Sequence, residues 1–291
     1  MQTIEKSEIL FIINAKTGTS KTSSIIQTLN NKGLFYRITR NLIELENVMS
    51  EEIDNFKVFV AVGGDGTVNS LAKFLINKKH KTLAVLPIGS GNGFAYDLGF
   101  HHDIERLIQY ISEGNIHEID VLSINDIDFI NVAGIGLDAE VAHRFHKNKR
   151  RGSFNYIISA FISYMKFKPF RATIINEDFE ISDTFLMISI ANTRQWGINA
   201  YISPCSVPYD GQYEIALVKP FSFFNAIPLI YKLFKGSLEA SKYVRYITCK
   251  GGSTINTDYK KYHIDGDPML SQGAYEMKIK KKLLNVINTK K

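Results

Sequence analysis

Acidic side chains within glycine-rich runs are the residues of this chain best suited to chemistry. Asp65 lies in the run GGDGT at 63–67, and Asp265 and Asp267 flank Gly266 near the C-terminus. Glycines allow positive φ and let the backbone approach a ligand closely. A carboxylate facing a phosphate would repel it unless a cation or a proton transfer were involved. The pattern therefore indicates phosphate binding with Mg²⁺ or general-base chemistry, and a tight turn with a helix-capping Asp is the alternative.

The elements around Asp65 predict how it is positioned. Residues 58–62, VFVAV, form a continuous apolar run typical of a strand buried in a parallel sheet. Leu71, Phe74 and Leu75 then have helical spacing, which predicts a helix that begins near Thr67. The free amides and the dipole at that helix N-terminus favour a phosphate.

A second glycine-rich loop follows the next buried run. It is LPIGSGNGFA at 86–95, and it carries Ser90 and Asn92 among its glycines. Two such loops at the ends of neighbouring strands would face each other across a crevice. Nucleotides usually bind open α/β sheets in such a crevice.

The alternation of strands and helices predicts two domains of the α/β class. Residues 1–122 read as a doubly wound, parallel α/β nucleotide-binding domain. Residues 123–282 contain short, closely spaced strands, which predict an antiparallel β-sandwich with helical insertions at about 137–166 and 222–235. The tail, 283–291, is expected to return to the first domain.

Composition and charge restrict the class of protein. The chain has 291 residues, 45% of them apolar, and two cysteines, Cys205 and Cys249, which are expected to be reduced thiols. An apolar run of about 18 residues and a basic-apolar leader are both absent, so we expect a cytoplasmic protein without a transmembrane segment. No motif supports nucleic-acid binding. The sequence leaves open whether the protein forms a homodimer.

The net charge of +6 is concentrated in two basic clusters, at 146–151 and 278–282. This charge serves solubility, or it attracts ATP or an anionic membrane surface. The segment 222–235, SFFNAIPLIYKLFK, is amphipathic and rich in aromatic residues. It either caps the sandwich core or places its exposed face on a membrane, although Pro228 is expected to kink it.

Four motifs, taken in order, resemble those of the diacylglycerol kinase catalytic family, which includes bacterial lipid kinases and sphingosine kinases. They are NAKTG at 14–18, GGDGTVN at 63–69, PIGSGN at 87–92 and DGD at 265–267. The similarity runs from Phe11 to about Ile279. It implies an ATP-dependent, Mg²⁺-requiring kinase whose second domain holds a lipid substrate taken from a membrane surface.

The resemblance also implies roles for individual residues. Asp210 would bind a structural Mg²⁺ with the backbone carbonyls of Val207 and Gln212. Asp267 stands where the family usually has a catalytic Glu, and its reach is shorter by about 1.5 Å, one carbon–carbon bond. Asp265 and Asp65 are alternative proton acceptors. The ATP-binding residues implied are Asn14, Ala15, Lys16, Thr17, Gly18, Thr39, Gly63, Gly64, Asp65, Gly66, Thr67, Val68, Asn69 and Ser90.

Several functions fit this pattern. Diacylglycerol is the default acceptor, which would place the product, phosphatidate, in phospholipid biosynthesis. The GSGN form of the second loop also resembles sphingosine kinases, so a sphingoid base is an alternative. NAD kinases share GGDGT, but their Thr-Pro-Thr-Gly-Ser-Thr-Ala-Tyr run is absent. A nucleotide- or lipid-binding regulator that lost catalysis through the Asp at 267 is the non-enzymatic alternative.

Overall fold

The structure is a computed structural model that describes residues 4–16, 19–147 and 153–289. Within these ranges it describes all side chains except those of residues 19–20 and 153–157. The chain divides into two compact units. The first comprises Met1–Ile119 and Lys282–Lys291, and the second comprises Asp120–Lys281. The division after Ile119 comes slightly earlier than the predicted one after residue 122.

The first unit contains a parallel sheet with the strand order β2-β1-β3-β4-β16. The last of these strands contributes only its C-terminal part, where Asn285 and Val286 pair with Thr82 and Leu83. With numbering in chain order, the strands are β1 (Ile9–Asn14), β2 (Phe35–Thr39), β3 (Val58–Gly63), β4 (Thr82–Pro87) and β16 (Tyr275–Ile287). The helices are α1 (Thr19–Lys32), α2 (Leu42–Glu52), α3 (Asp65–Leu75), α4 (Gly93–Asp97) and α5 (Ile104–Glu113).

Burial explains why these segments form a parallel sheet. Every residue of β3 and β4 is buried, as expected for strands covered on both faces. Local signals fix the helix ends: the Asp103 side chain accepts a hydrogen bond from the Arg106 N–H at 3.0 Å, and Gly114 ends α5 with φ 65°. The predicted doubly wound α/β domain is confirmed.

The second unit is built from antiparallel sheets. One has the order β12-β11-β10-β7-β14-β15, and the other has the order β9-β8-β13-β16, with a β5–β6 hairpin beside β16. The strands are β5 (Ile116–Ile124), β6 (Ile127–Phe129), β7 (Val132–Gly136), β8 (Phe170–Ile175), β9 (Glu180–Phe185), β10 (Met187–Ala191), β11 (Tyr213–Val218), β12 (Val244–Cys249), β13 (Ser253–Asn256), β14 (Lys261–Ile264) and β15 (Asp267–Leu270).

A shared hydrophobic core joins these two sheets. Its buried side chains come from strands of both, among them Ile135 and Ile215 from one sheet and Ile174 and Met277 from the other. Three helices interrupt the strands, α6 (Leu137–Lys147), α7 (Ser153–Lys166) and α8 (Phe223–Lys235). The predicted sandwich with helical insertions is confirmed, and α8 continues through Pro228. No helix in the described ranges has the length and apolarity needed to cross a bilayer.

Candidate functional site

The motif residues of the first unit gather at the carboxyl edge of its parallel sheet. Asn14, the last residue of β1, is in register with Thr39, the last residue of β2. Gly63 at the end of β3 is likewise in register with Pro87 at the end of β4. The strand ends therefore bring the NAKTG, GGDGT and PIGSGN motifs to one edge, which is where open α/β sheets bind ligands.

A side-chain hydrogen bond links the first two motifs. The Asn14 Nδ2 donates to Thr67 Oγ1 at 3.0 Å, and the Asn14 Oδ1 accepts from the Lys16 N–H at 3.0 Å. Gly63 makes room for this contact, because a Cβ there would lie 2.3 Å from Thr67 Oγ1. The exposed Lys16 and half-buried Ala15 follow, and the Ala15 N–H donates to the Thr39 carbonyl at 2.9 Å. Two predicted ATP ligands, Thr17 and Gly18, lie outside the described residues.

The N-terminus of α3 offers an open approach for an anion. Gly64 precedes the helix, and its carbonyl accepts hydrogen bonds from the N–H groups of Thr67 and Val68 at 2.9 and 3.1 Å. A Cβ on Gly66 would have no atom within 4 Å. The N–H groups of the two residues before Thr67 have no carbonyl one turn earlier in the helix to bond, so a phosphate can reach them here. Val68 and Asn69 are buried and support this turn from within, whereas Ser90 in the second loop is exposed.

Asp65 ties the two glycine loops together. Its Oδ2 accepts a hydrogen bond from the Asn92 N–H at 2.7 Å. The loops also meet through their backbones, since a Cβ on Gly89 would lie 2.5 Å from the Gly64 Cα. Asn92 has φ 55° and closes its own loop, with its side chain bonded to the N–H and the carbonyl of Gly89 at 3.1 and 2.8 Å. The sequence analysis missed this role of Asn92, which an Asn between two glycines signals through its tolerance of positive φ.

The second carboxylate oxygen of Asp65 is available for chemistry. Burial raises the pKa of Asp65, and the backbone amides of Asn92, Gly93 and Phe94 oppose that rise. The Oδ1 atom is buried and has no hydrogen-bond partner among the described residues. A buried oxygen without a donor carries a desolvation cost that a proton, a cation or an ordered water removes. This atom therefore fits the expected Mg²⁺-water or proton-accepting role.

The two acids of the DGD motif, Asp265 and Asp267, lie in different environments. Asp265 and Gly266 form the two-residue turn between β14 and β15, with φ 50° and 88°. The Asp265 carboxylate accepts backbone hydrogen bonds from Ile130, Asn131 and Val132 at 3.2, 3.0 and 3.1 Å. Burial raises the pKa of Asp265 to about 7, although these amides and His263 pull it down. Its oxygens hold the β6–β7 connection, so a structural role accounts for this residue.

Asp267 is the accessible acid of the motif. It is the first residue of β15, pairs with Ile264 across the hairpin, and has an exposed side chain. Its carboxylate has no hydrogen-bond partner within the described part of the chain. A general base needs such an unencumbered oxygen. Of the two acids in the motif, the geometry therefore favours Asp267 over Asp265.

A buried pair supports the turn that carries Asp267. The His263 Nε2 lies 3.4 Å from Asp138 Oδ2, which also accepts a hydrogen bond from Ser189 Oγ at 2.9 Å. The His263 Nδ1 accepts the Gly266 N–H at 3.3 Å, so the ring proton is on Nε2 and points to Asp138. Gly134 leaves space for this pair, because a Cβ there would lie 1.8 Å from Asp138 Oδ2. The sequence analysis did not find His263.

The predicted metal residues form a compact loop in the second unit. The exposed Asp210 accepts hydrogen bonds from the Gln212 N–H at 2.9 Å and the Gln212 Nε2 at 3.4 Å. The Val207 carbonyl lies 3.4 Å from the Asp210 nitrogen. The buried Asp120 holds this loop, because its Oδ2 accepts the Gly211 N–H at 2.7 Å. Asp120 lies far from this loop in the sequence, so the spacing of the motif residues could not identify it.

The donor set of this loop fits Mg²⁺ that keeps much of its water. Within the described ranges, no group of three or more His, Cys, Asp and Glu side chains could hold a metal ion. Mg²⁺ is usually bound by one or two carboxylates and several waters rather than by an all-protein cage. Asp210 with the Val207 and Gln212 carbonyls supplies such a set.

Comparison with known families covers almost the whole chain. The family described as "Diacylglycerol kinase catalytic domain" matches residues 8–124. The family described as "YegS C-terminal NAD kinase beta sandwich-like domain" matches residues 131–288. The two matches meet between residues 124 and 131, shortly after the division of the structure at Ile119.

Relatives of known name resemble the chain along most of its length. A Klebsiella pneumoniae (strain 342) protein named "Probable lipid kinase YegS-like" is 25% identical over 278 residues, which cover 93% of this chain and 92% of the relative. A protein of the same name from Shewanella frigidimarina (strain NCIMB 400) is 26% identical over 234 residues, 77% and 75% of the two chains.

Solved structures share the fold. A Bacillus anthracis str. Sterne structure described as a diacylglycerol kinase aligns with a TM-score of 0.73 and 18% identity over 97% of each chain. An NAD kinase from Archaeoglobus fulgidus in complex with ATP aligns with a TM-score of 0.58 and 13% identity over 97% of this chain and 94% of the other. Because the sequence identities are only 18% and 13%, these alignments show a shared fold and no more than that.

Proposed function

The chain belongs to the family of the diacylglycerol kinase catalytic domain, with a YegS-type C-terminal domain, and we propose that it transfers the terminal phosphate of ATP to a lipid hydroxyl. The observation that carries this proposal is the junction of the two glycine loops at the sheet edge. There the Asp65 Oδ2 is bonded to the Asn92 N–H at 2.7 Å, and the open α3 N-terminus lies beside it.

This junction supplies what phosphoryl transfer requires of a protein. The reaction needs positioning and stabilisation of phosphate charge more than covalent participation of side chains. Backbone amides at α3 and in the glycine loops donate hydrogen bonds without having to reorganise. The bond between Asn14 Nδ2 and Thr67 Oγ1 keeps the first loop next to this helix start. We assign ATP to this edge, with Thr39 and Ser90 at its margins.

The acceptor hydroxyl must lose a proton, and we assign that proton to the Asp267 carboxylate. Asp267 is exposed and has no partner among the described residues, whereas the Asp265 carboxylate accepts three backbone hydrogen bonds. Asp65 Oδ1 is the second acceptor that the geometry supports, because it is buried without a donor. Asp65 Oδ1 would hold, through water, a Mg²⁺ ion that would neutralise phosphate charge, and Asp210 with the Val207 and Gln212 carbonyls would hold a structural Mg²⁺ ion.

The proposed acceptor is diacylglycerol, presented at a membrane surface and converted to phosphatidate, and a sphingoid base is the alternative. The names of the relatives support a lipid, because both read "Probable lipid kinase YegS-like". The GSGN sequence of the second loop leaves the sphingoid base open.

A transfer assay tests the proposal. The protein is incubated with radiolabelled ATP, Mg²⁺ and a mixed lipid extract, and the labelled lipids are separated and identified. We expect labelled phosphatidate, no product with EDTA, and a rate for Asp267→Asn that is lower by roughly 10²–10⁴-fold, the usual contribution of a general base. A labelled sphingoid base would change the acceptor and keep the reaction.

The same assay separates an enzyme from a regulator. Asp267→Glu restores the side-chain length usual in the family and serves as the matched variant. If neither the wild type nor Asp267→Glu labels any lipid while both bind ATP, the chain is a nucleotide-binding regulator and the kinase proposal is wrong.

A further inference from the structure

The part of helix α7 whose side chains are described, residues 158–166, has its polarity reversed. The side chains that it buries include Ser159 and Ser163, whereas Ile158, Phe161 and Met165 are exposed. Ser163 accepts a hydrogen bond from the Arg144 Nε at 3.1 Å, so the buried face is satisfied by polar contacts. A surface helix of a water-soluble domain normally directs its apolar stripe inward. The exposed stripe of α7, at positions i, i+3 and i+7, therefore faces an apolar environment in some state of the protein.

Helix α8 adds a second apolar stripe. Its inner face contributes Leu229 and Leu233 to a core cluster. Its outer face carries Phe224, which is 84% exposed, and Ile227, which is 68% exposed. Its remaining exposed apolar side chains are Phe223, Ile230, Tyr231 and Phe234. The helix is thus apolar on both faces, although a core cluster separate from the sandwich core, with Val132 and Val218, covers only one of them.

The two stripes form one surface. Phe161 of α7 and Phe223 of α8 have ring centroids 6.3 Å apart, and Phe223 and Phe224 have centroids 6.2 Å apart. Behind them, the Tyr164 hydroxyl donates to the Phe221 carbonyl at 2.9 Å, and these two rings stack. We call the exposed apolar side chains of α7 and α8 together the apolar face. Contiguous apolar exposure of this kind marks an interaction site.

The charges on these helices indicate what covers the apolar face. Their only charged residues are lysines, Lys166 at the end of α7 and Lys232 and Lys235 at the end of α8. The Lys235 Nζ lies 5.9 Å from the Tyr231 ring centroid, beside the apolar stripe. Aromatic and aliphatic side chains with lysines and no acids are typical of helices that lie in an anionic bilayer interface. A second copy of the chain would bring lysines against lysines.

We propose that α7 and α8 dock the protein on an anionic lipid bilayer, with the apolar face in the interface and the exposed Lys166 and Lys235 at the headgroups. The helices lie on the bilayer, since neither can cross it. This inference deepens the proposed function, because it names the bilayer as the place where the protein reaches its lipid substrate. Only that link to a lipid substrate rests on the proposed function; the docking itself does not.

Vesicle co-sedimentation without ATP tests the docking surface. The full chain with Asp267→Asn is added to phosphatidylcholine vesicles and to mixed phosphatidylcholine–phosphatidylglycerol vesicles. We expect stronger binding to the mixed vesicles. Phe224→Gln with Ile227→Gln should weaken binding at least tenfold, because each large apolar side chain contributes roughly tenfold or more to partitioning. Lys235→Gln should weaken only binding to the anionic vesicles, by about fivefold.

Ile43→Gln is the matched control, because Ile43 on α2 is also an isoleucine with 68% exposure. It should leave vesicle binding unchanged. Equal binding of the Phe224/Ile227 variant and the wild type would overturn the proposal. Sedimentation would also overturn it if the wild type were a dimer and this variant a monomer while both bound vesicles equally, because the apolar face would then join two copies of the chain. The experiment measures vesicle binding and not turnover. Its result therefore remains valid even if the chain is not a kinase.

Discussion

At the scale of single residues, the two acids of the DGD motif differ in what they contact. Asp265 accepts three backbone hydrogen bonds inside the second unit, whereas the Asp267 side chain is exposed at the start of β15. The two residues are the same amino acid in one motif, but their side chains make different contacts. One acid holds the turn, and the other has a solvent-exposed side chain.

Alanine substitutions should separate these roles in an unfolding measurement. Asp265→Ala leaves the amides of Ile130, Asn131 and Val132 without their acceptor, and each buried unsatisfied group costs about 1–3 kcal/mol. We expect the free energy of unfolding to fall by at least about 2 kcal/mol. Asp267→Ala should change it by less than about 0.5 kcal/mol, as exposed substitutions usually do. Equal losses in urea titrations of the two variants would contradict this division.

At the scale of elements, the glycines of the two loops serve different purposes. Gly89 allows the loops to touch, since its Cβ would lie 2.5 Å from the Gly64 Cα. Gly66, the second residue of α3, has open space around it, so no atom of the described residues requires a glycine there. Under the proposed function, a glycine at 66 permits the close approach of a phosphate.

Gly66→Ala tests that reason. Alanine is about 0.8–1.0 kcal/mol more favourable than glycine in a helix interior, so the variant should be at least as stable as the wild type. Its added methyl group should nevertheless lower ATP affinity at least tenfold, measured by isothermal titration calorimetry. Gly89→Ala should lose both stability and affinity, whereas Gly251→Ala, another site with open space, should change neither. Wild-type ATP affinity in Gly66→Ala would remove the α3 N-terminus from the phosphate site.

The same elements show how far the sequence leads. Apolar runs and glycine punctuation predict β3, α3 and β4, because burial on both faces and positive φ leave local traces. The motifs also predict that Asn14, Asp65 and Ser90 belong to one sheet edge. Long-range contacts leave no such trace. The contacts of Asp120 with Gly211 and of His263 with Asp138 join residues far apart in sequence and depend on strand register, which the spacing of single residues does not encode.

At the scale of the whole molecule, buried carboxyls shape how stability depends on pH. Burial raises the pKa values of Asp65 and Glu214, as well as that of Asp265. Surface ion pairs act in the opposite sense, and the hydrogen bond from Lys57 holds the pKa of Glu8 below its usual range. Groups of the first kind bind a proton more tightly when folded, so they stabilise the fold at low pH. Groups of the second kind lose their contribution as the pH falls.

Asp265 provides the clearest test, because its pKa is raised to about 7 from an unfolded value of about 3.9. Its contribution is complete below about pH 4 and is lost as the pH rises to about 7. Asp265→Asn removes this titration and leaves the other carboxyls in place. The free energy of unfolding of the wild type relative to Asp265→Asn should therefore fall between pH 4 and 7, by at most about 1.4 kcal/mol per pH unit for one proton.

Urea titrations of both proteins across this range measure that difference, and subtraction cancels the groups they share. His263 faces Asp265 and lowers its pKa, so the pair of measurements is repeated with His263→Gln in both proteins. There the Asp265-dependent decline should extend to higher pH, because His263 no longer lowers the pKa of Asp265. A difference that stays constant from pH 4 to 7 would mean that Asp265 is ionised throughout. The three backbone amides would then outweigh the cost of burying its charge.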